Sequence, residues 1–459
     1  MKQTKGVAGA RTVTDQRVEK QIKETLKRFA PHQRFLLGCS GGLDSIVLLV
    51  ILHRILTEND QQCQLRVVHV DHDLQAPSGD WAKQVVAQCE AFNIEIIVKK
   101  VKVAAGNLEN EARNARYAAF REVIAPDEVL VLAHHQQDQA ETVLMRLLNG
   151  SGVSGLAAMR ELQTQAGLTV FRPLLNTARD EIHQYAIAHQ LQWIDDPANH
   201  DLSFDRVVMR EKVWPLLASH WDGFEAAIGR TAGLMADAES VLKAQGEIDL
   251  AAAQHTDGSL NIPIVLALSD ARQRWLLARW MQADTRYAPP LSRVEAVREM
   301  MQARIDATPQ VNWQTEQGHI QFRRYQDQLY RLPLELPVAQ AQTLIFSMSQ
   351  QVDLPTGHWH VAELVNGLSL SWLGQELRLR PRRDGELLHL KGRVGHWPLK
   401  KLLQSLRLPQ WQREQVQILE TMGGLPLALL SSKGFWLMAQ AVDETSLGWG
   451  VLLSDRLEV

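Results

Sequence analysis

The residue types best suited to chemistry stand together in Ser40-Gly41-Gly42-Leu43-Asp44-Ser45. The run Arg34 to Cys39 before them reads as a short buried strand, and Ile46 to Leu52 after them is long enough to open a buried helix. A strand, a glycine-rich turn and a helix make an anion site. Glycines let the backbone approach a ligand closely. The first helical turn leaves N–H groups unpaired where the peptide dipoles favour negative charge, and the Ser40 and Ser45 hydroxyls can donate to phosphate oxygens. There is no Gly-x-x-x-x-Gly-Lys-Ser/Thr pattern, so no lysine of the loop reaches a terminal phosphate. The loop carries Asp44 instead. A carboxylate beside polyphosphate requires a divalent cation between them, and Mg²⁺ commonly bridges such groups. The same residues also fit a tight turn in which Asp44 only caps the helix.

Three further clusters offer polar groups. Val67-Val68-His69-Val70-Asp71-His72-Asp73 ends a strand whose backbone can face an adenine ring; taken alone it reads as a loop with capping residues. In Asn107 to Tyr117, Arg113 and Arg116 share a helix face and can hold phosphate or developing negative charge, while Glu109 and Arg113 can instead form a helix ion pair. In Ala133 to Thr142, Asp138 and Glu141 are i,i+3 neighbours and His134 lies one turn before Asp138. That spacing matches no strong metal template. Paired carboxylates can hold an ammonium group, and one can take its proton to make a nucleophilic amine. A capping role is the other reading of Asp138.

The elements that must position these groups alternate. Val18, Ile22, Leu26 and Phe29 have helical spacing; strands follow at Leu65 to Val70, Ile94 to Val98 and Val129 to Ala133, with helices at Trp81 to Phe92 and Leu108 to Val123. Apolar strands separated by amphipathic helices predict an α/β domain with a parallel sheet covered on both faces. Ligands bind beyond the carboxyl ends of such strands, where Ser40 to Ser45, Asp71 and His134 to Glu141 fall. A helix is expected from Arg179 to Ala188, and then the alternation stops. Residues 220–305 read as largely helical, through Gly229 to Lys243 and Asp270 to Gln282. A hairpin fits 317–332 and a linker Leu334 to Val338. The end of the chain mixes strands at Leu368 to Leu373, Leu377 to Pro381 and Phe435 to Ala439 with a helix at Leu399 to Leu406. Three domains are expected: 1–218, catalytic; 219–335, mainly helical; and 336–459, a small basic α+β domain.

Composition, 45% hydrophobic and 22% charged, is that of a soluble globular protein. No apolar run reaches the ~18 residues a membrane span needs, and no apolar stretch follows the basic first residues as a secretory signal would. Cys39, Cys63 and Cys89 form no Cys-x-x-Cys pair, which suits a reducing cytoplasm and argues against a zinc or iron–sulfur module. Net charge is only −3, yet basic residues concentrate at Lys2 to Arg34 and again at Arg378 to Arg413. These zones suit either a polyanion held at separate places or merely solvated faces.

The hexapeptide resembles the pyrophosphate-binding loop of the ATP pyrophosphatases, which cleave ATP between its α and β phosphates and adenylate a substrate. Together with Val70-Asp71-His72, Asn107-Leu108-Glu109, Ala112-Arg113, Arg116-Tyr117, His134-His135, Asp138-Gln139-Ala140-Glu141-Thr142 and Gly150 to Met159, in this order, it resembles the tRNA(Ile)-lysidine synthetases. Arg172-Pro173-Leu174-Leu175, Asp195-Asp196-Pro197-Ala198-Asn199, Arg206, Arg210 and Trp214 to Leu217 extend the likeness, as do Leu399-Lys400-Lys401 and Leu408 to Arg413. The resemblance implies an adenine-nucleotide α-hydrolase-like first domain and an enzyme, a cytoplasmic ligase. The family adenylates the wobble cytidine of isoleucine tRNA bearing a CAU anticodon; the ε-amine of L-lysine then displaces AMP. It implies ATP contacts at Ser40, Gly41, Gly42, Leu43, Asp44, Ser45, Val70, Asp71 and His72, Mg²⁺ on Asp44, and help in adenylation from Arg113 and His134. Asp138 and Glu141 would receive lysine, Asp138 taking part in catalysis. Arg116, Gly152, Arg206, Arg210, Arg380, Arg382, Arg383, Lys400, Lys401 and Arg413 would meet tRNA. A homodimer fits the family's habit.

Two positions and one segment depart from the family pattern. Asp73 stands where glycine is common, Val207 replaces an asparagine, and Arg413 to Leu419 lacks the usual Arg-x-x-Pro-Leu-Leu. Two rivals remain: a thiolase-type tRNA-modifying enzyme, for which the cysteines lack pairing, and a non-catalytic tRNA-binding protein, against which Asp44, Arg113, Asp138 and Glu141 speak.

Overall fold

A computed structural model describes residues 13–453 except 60–63, 73–77, 104–107, 166, 198–200, 284, 286–287, 305–308, 317 and 443–446. Asp73, Asn107, Ala198, Asn199 and Cys63, and the side chain of Glu109, lie outside what it describes. The chain divides into two compact units, 1–244 and 245–459.

The first unit begins with α1 (Val13–Leu26), β1 (Arg34–Gly38), α2 (Leu43–Glu58), β2 (Leu65–Asp71), α3 (Ser78–Ala91), β3 (Glu95–Lys100) and α4 (Leu108–Val123). It continues with β4 (Glu128–Val131), α5 (Gln136–Leu148), α6 (Val153–Leu156), β5 (Leu162–Gln165), β6 (Leu168–Phe171) and α7 (Arg179–Ala188). The sheet runs β3-β2-β1-β4-β6-β5, parallel except for β5. Order reverses at β1, so a crevice opens beyond the carboxyl ends of β1 and β4, the switch point where such sheets bind ligands.

Both faces of the sheet are covered, as the apolar strands require. Phe35 and Leu37 of β1 join a core with Ile46, Leu48 and Leu49 of α2 and Ile182 and Tyr185 of α7. Leu36 points the other way, against Phe120 of α4 and Leu130 and Leu132. α2 is so thoroughly buried that its first turn, and the loop before it, cannot shift independently of the sheet.

After α7 come α8 (Asp205–Val208), a π-helical turn at Met209–Val213, α9 (Trp214–Ala218) and α10 (Phe224–Ala253). Met209 and Trp214 pack with Ala140 of α5, which brings Arg206 and Arg210 to that helix.

In the second unit, helices Ile262–Leu266, Asp270–Gln282 and Leu291–Met301 pack against an antiparallel sheet of Gln310–Thr315, Gly318–Tyr325, Gln328–Pro333 and the short Leu260–Asn261. The expected hairpin is therefore part of a larger sheet. Five strands, Gln342–Ile345, Glu376–Pro381, Gln417–Thr421, Pro426–Ser431 and Gly434–Leu437, form a second sheet; Gln351–Leu354, Gly357–Val365 and Leu447–Leu453 form a third. Leu368 to Leu373 is not a strand: Leu368 makes single bridges to Val442 and Trp449, and Leu370–Trp372 turns as a 3₁₀ helix. Among the described residues no helix is long and apolar enough to cross a membrane.

Candidate active site

The glycine turn is shaped by its own residues and by a strap laid over it. Gly41 has φ +88°, and a Cβ there would lie 2.4 Å from Ile194 Cδ1, so only glycine fits. Ile194 N–H donates to Gly41 O at 2.9 Å, tying residues 191–197 across the loop. Ser45 is buried; its Oγ donates to Gly42 O at 2.9 Å and accepts from Gly41 N–H at 3.1 Å. Its hydroxyl thus holds the turn, and Ser45 lines the cavity that opens beside it. Ser40, exposed, accepts from Gly42 N–H at 3.3 Å and remains close to solvent. Gly42 caps α2 with no side-chain bond, leaving the first-turn N–H groups to an anion.

A cavity of about 550 Å³ opens here, lined among others by Ser40, Gly42, Asp44, Asp71, His134 and Asp138. Val70 and His72 also line it, so the end of β2 borders the cavity beside the loop. Asp44 Oδ1 is buried without a hydrogen-bond partner. Burial pushes the Asp44 carboxyl above its usual range against the pull of His135. An orphaned, desolvated oxygen beside a row of free N–H groups fits a Mg²⁺–polyphosphate. Among the described residues no cluster of three or more His, Cys, Asp and Glu could hold a metal alone, so such a cation would rely on phosphate oxygens.

α5 brings the acids. His135 is its N-cap: Nδ1 accepts from Asp138 N–H at 3.4 Å, and Asp138 Oδ2 accepts from His135 N–H at 3.1 Å. With Nδ1 accepting, the ring proton sits on Nε2, which faces Asp44 Oδ2 at 3.7 Å and Asp138 Oδ2 at 3.5 Å. Asp138 therefore caps the helix and lines the cavity at once. Burial works against its ionisation, but the His135 and His134 rings, Arg206 and the His135 N–H outweigh it and hold the carboxyl at about 2. His134 is pushed down to about 3 by burial, so its imidazole is neutral in neutral solution.

Glu141 is fully buried and does not line the cavity. Arg210 Nε and Nη2 bind its two oxygens at 3.0 and 3.1 Å, Gln137 Nε2 donates at 3.0 Å, and Arg206 Nε lies 3.6 Å away. The open pair of carboxylates expected from the spacing is, in the structure, one cavity-facing aspartate and one glutamate filled by a guanidinium. Arg210 Nη2 also lies 3.8 Å from Asp138 Oδ1. Arg116 lines the cavity, whereas the Arg113 guanidinium sits 5.0 Å from the Tyr117 ring centroid and is not part of the lining. Gly152, the N-cap of α6, is also outside the lining.

The sequence left the roles of His134 and His135 undivided and singled out neither Arg179 nor Ile194 for the site. The hint for His135 was its place just before the first residue of α5; Ile194 and Arg179 carry no local signal.

The basic zones divide. Among the described residues of the first, Arg17, Lys23, Lys27, Arg28 and Arg34 are ion-paired, as a solvated face would be. In the second, Arg380 is buried, its Nε 2.7 Å from Glu420 and its Nη2 on Glu386. It is a core ion pair and not a surface contact for tRNA. Arg382 donates to Arg413 O and Asp384, and Arg413 to Leu408 O. Arg383, Lys400 and Lys401 are exposed. Of the tryptophans, Trp280, Trp313 and Trp411 are buried, while Trp397 is exposed with the Arg393 guanidinium 4.6 Å from its ring centroid.

A glycine turn after the first strand, an aspartate on the next helix and a cavity at the switch point define a PP-loop domain of the ATP pyrophosphatase type. The PP-loop domain family matches residues 14–217, the TilS substrate binding domain 260–330 and the TilS substrate C-terminal domain 377–449. The chain is 38% identical over 433 residues to a tRNA(Ile)-lysidine synthase of Acinetobacter baylyi, covering 92% of this chain and 91% of that protein. It is 37% identical over 439 residues to one of Shigella flexneri, covering 93% and 99%. The chain belongs to the tRNA(Ile)-lysidine synthase family.

Proposed function

We infer that this chain is an ATP-dependent ligase that converts the wobble cytidine of the CAU anticodon in isoleucine tRNA to lysidine. The carrying observation is that His135 Nε2 stands 3.7 Å from Asp44 and 3.5 Å from Asp138. The phosphate side and the amine side of the reaction thus adjoin across one imidazole. The cytidine O2 bonds to the α-phosphorus and pyrophosphate leaves. The lysine amine, having lost a proton, then bonds to C2, and AMP leaves with the O2 oxygen. Bound Mg²⁺, held by Asp44, would neutralise phosphate charge. Ser40, Gly41, Gly42, Leu43 and Ser45 frame the phosphates, and Val70, Asp71 and His72 border the adenosine. Neutral His134 offers a hydrogen bond at the adenylation step, with Arg113 and Arg116 on the helix beside it.

Asp138 receives the lysine ammonium, with Glu141 reached where Arg210 yields to it. Gly152, Arg206, Arg210, Arg382, Arg383, Lys400, Lys401 and Arg413 are proposed to meet tRNA. A three-part division near 218 and 335, a homodimer and a cytoplasmic setting complete the reading. Against a sulfur-transfer reading stands Cys39, which is buried, with Sγ 3.6 Å from Ser45 Oγ, and whose thiol burial pushes up. Mass analysis of nucleosides from isoleucine tRNA incubated with ATP, Mg²⁺ and lysine tests the proposal. Lysidine together with AMP is expected; AMP formation that ignores lysine would refute it.

A further inference from the structure

The phosphate loop supplies dipoles and a carboxylate but no cation, although a triphosphate carries most of its charge beyond the α-phosphate. Four arginines line the cavity: Arg116, Arg179, Arg206 and Arg210. Arg206 donates to Thr142 at 3.1 Å and lies 3.6 Å from Glu141; Arg210 is committed to Glu141. Arg179, exposed on the first turn of α7, makes no ion pair or side-chain hydrogen bond among the described residues. It is close enough to Asp44 to act on that carboxylate electrostatically.

Its backbone is held from three sides. Thr177, fully buried, accepts through its carbonyl the N–H of Gln136, the first residue of α5, at 3.0 Å. The Thr177 hydroxyl accepts from Gln21 Nε2 at 3.1 Å. Ala178 N–H donates to Glu181 at 3.3 Å, closing the turn, and Ile182, Tyr185 and Ala186 bury α7 in the same core as α2. Arg179 thus springs from a fixed point joined to the start of α5, facing the start of α2. A cation in a helix's first turn opposes the peptide dipole, and Asp180 and Glu181 in that turn offset it. A locally disfavoured charge, uncommitted within a cavity, marks a position kept for a ligand.

We propose that Arg179 is the polyphosphate-binding cation of this site, its guanidinium meeting the β- and γ-phosphate oxygens of ATP seated on Gly41 to Ser45. The inference rests on the ATP-dependent reading above. As the substrate oxygen bonds to the α-phosphorus, the bond from that phosphorus to the bridging oxygen breaks, and its electron pair departs on pyrophosphate. The leaving group gains charge in the transition state, where a fork of charge-assisted donors stabilises it most.

The test compares ATP and AMP binding by calorimetry, with Mg²⁺, to the full chain and to Arg179→Ala and Arg179→Lys. AMP lacks the phosphates Arg179 would hold, so Arg179→Ala should lose roughly 10- to 100-fold in ATP affinity while AMP affinity stays within about two-fold. Arg179→Lys should recover part of the loss, and unchanged melting temperatures would exclude misfolding. Equal weakening of ATP and AMP would make Arg179 merely structural, and unchanged ATP affinity would remove it from the site; either overturns the proposal. An unsubstituted chain that bound ATP no better than AMP would sink the ATP reading itself, and this inference with it.

Discussion

Glu141, buried to the last atom, holds Arg210 through both oxygens, at 3.0 Å to Nε and 3.1 Å to Nη2. Arg210 sits in a π-helical turn, an irregularity that often accompanies functional sites, and Glu141 sits on α5. The pair joins the helix that carries Asp138 to the segment that carries Arg206. Glu141→Ala would take the bidentate partner from the half-buried guanidinium and leave it only Asp138, at 3.8 Å, so it should destabilise the substrate-free chain by about 2 kcal/mol. Thermal melting without ATP, lysine or tRNA checks this. An acid kept solely for an incoming amine would leave that melt unchanged.

The two cavity aspartates should respond to neutralisation with opposite signs. Burial raises Asp44, so its charged form is a cost to the fold: stability is greatest below the ordinary value of 3.8 and declines as pH rises through the raised one. Asp44→Asn should therefore melt higher at neutral pH, without Mg²⁺ and ATP, while forming no AMP. Asp138, held at about 2, stabilises the fold above 3.8 and loses that contribution as pH falls towards 2. Asp138→Asn keeps a capping oxygen but not the charge, and should cost about 2 kcal/mol at neutral pH. Melts of the two variants side by side decide it; a shift of the same sign in both would contradict the opposite electrostatics of the two carboxyls.

His134 sets a second pH dependence. Its folded value of about 3 lies far below the 6.5 of an exposed imidazole, so the unfolded chain takes up this proton first as pH falls. Stability should decline from about pH 6.5 downward, and His134→Gln should flatten that slope. In nuclear magnetic resonance the His134 ring should show no titration between about pH 5 and 8.

Where local pattern determines an element, the sequence sufficed. The helices Leu108–Val123, Arg179–Ala188 and Asp270–Gln282 have the bounds read from their periodicity. The glycine turn was legible because its backbone demands are written in six adjacent residues. Leu162–Gln165, Leu168–Phe171 and Gly357–Val365 were not, since short strands are stabilised by partners distant in sequence. At the site, type and spacing pointed to Asp44 and Asp138, and both line the cavity. The engagement of Glu141 by Arg210 is a contact across 69 residues, and nothing at either position announces it. The burial of Arg380 was hidden likewise: Arg378 and Arg380 share one face of Glu376–Pro381 and both reach Glu420, and only the further contact of Arg380 with Glu386 sets it apart.

Arg380 and the lysines of Leu399–Ser405 therefore provide a last contrast. Arg380 lies between Glu420 and Glu386 with almost no exposure, and Arg378 shares Glu420 at 2.7 Å. Removing it takes the guanidinium from Glu386 and leaves Glu420 with Arg378 alone, so Arg380→Ala should destabilise the second unit by about 3 kcal/mol. Any loss of tRNA binding in that variant should follow its unfolding curve. Lys400 and Lys401 are exposed beside buried Leu399, Leu402 and Leu403, so their alanine variants should melt within about 0.5 kcal/mol of the parent. If these lysines meet phosphate, each variant should instead weaken tRNA binding and lower the salt dependence of affinity by about one unit in log–log slope. Measuring affinity at several salt concentrations separates the two roles. A reduced salt slope in Arg380→Ala at full foldedness, or an unchanged slope in both lysine variants, would reverse the assignment.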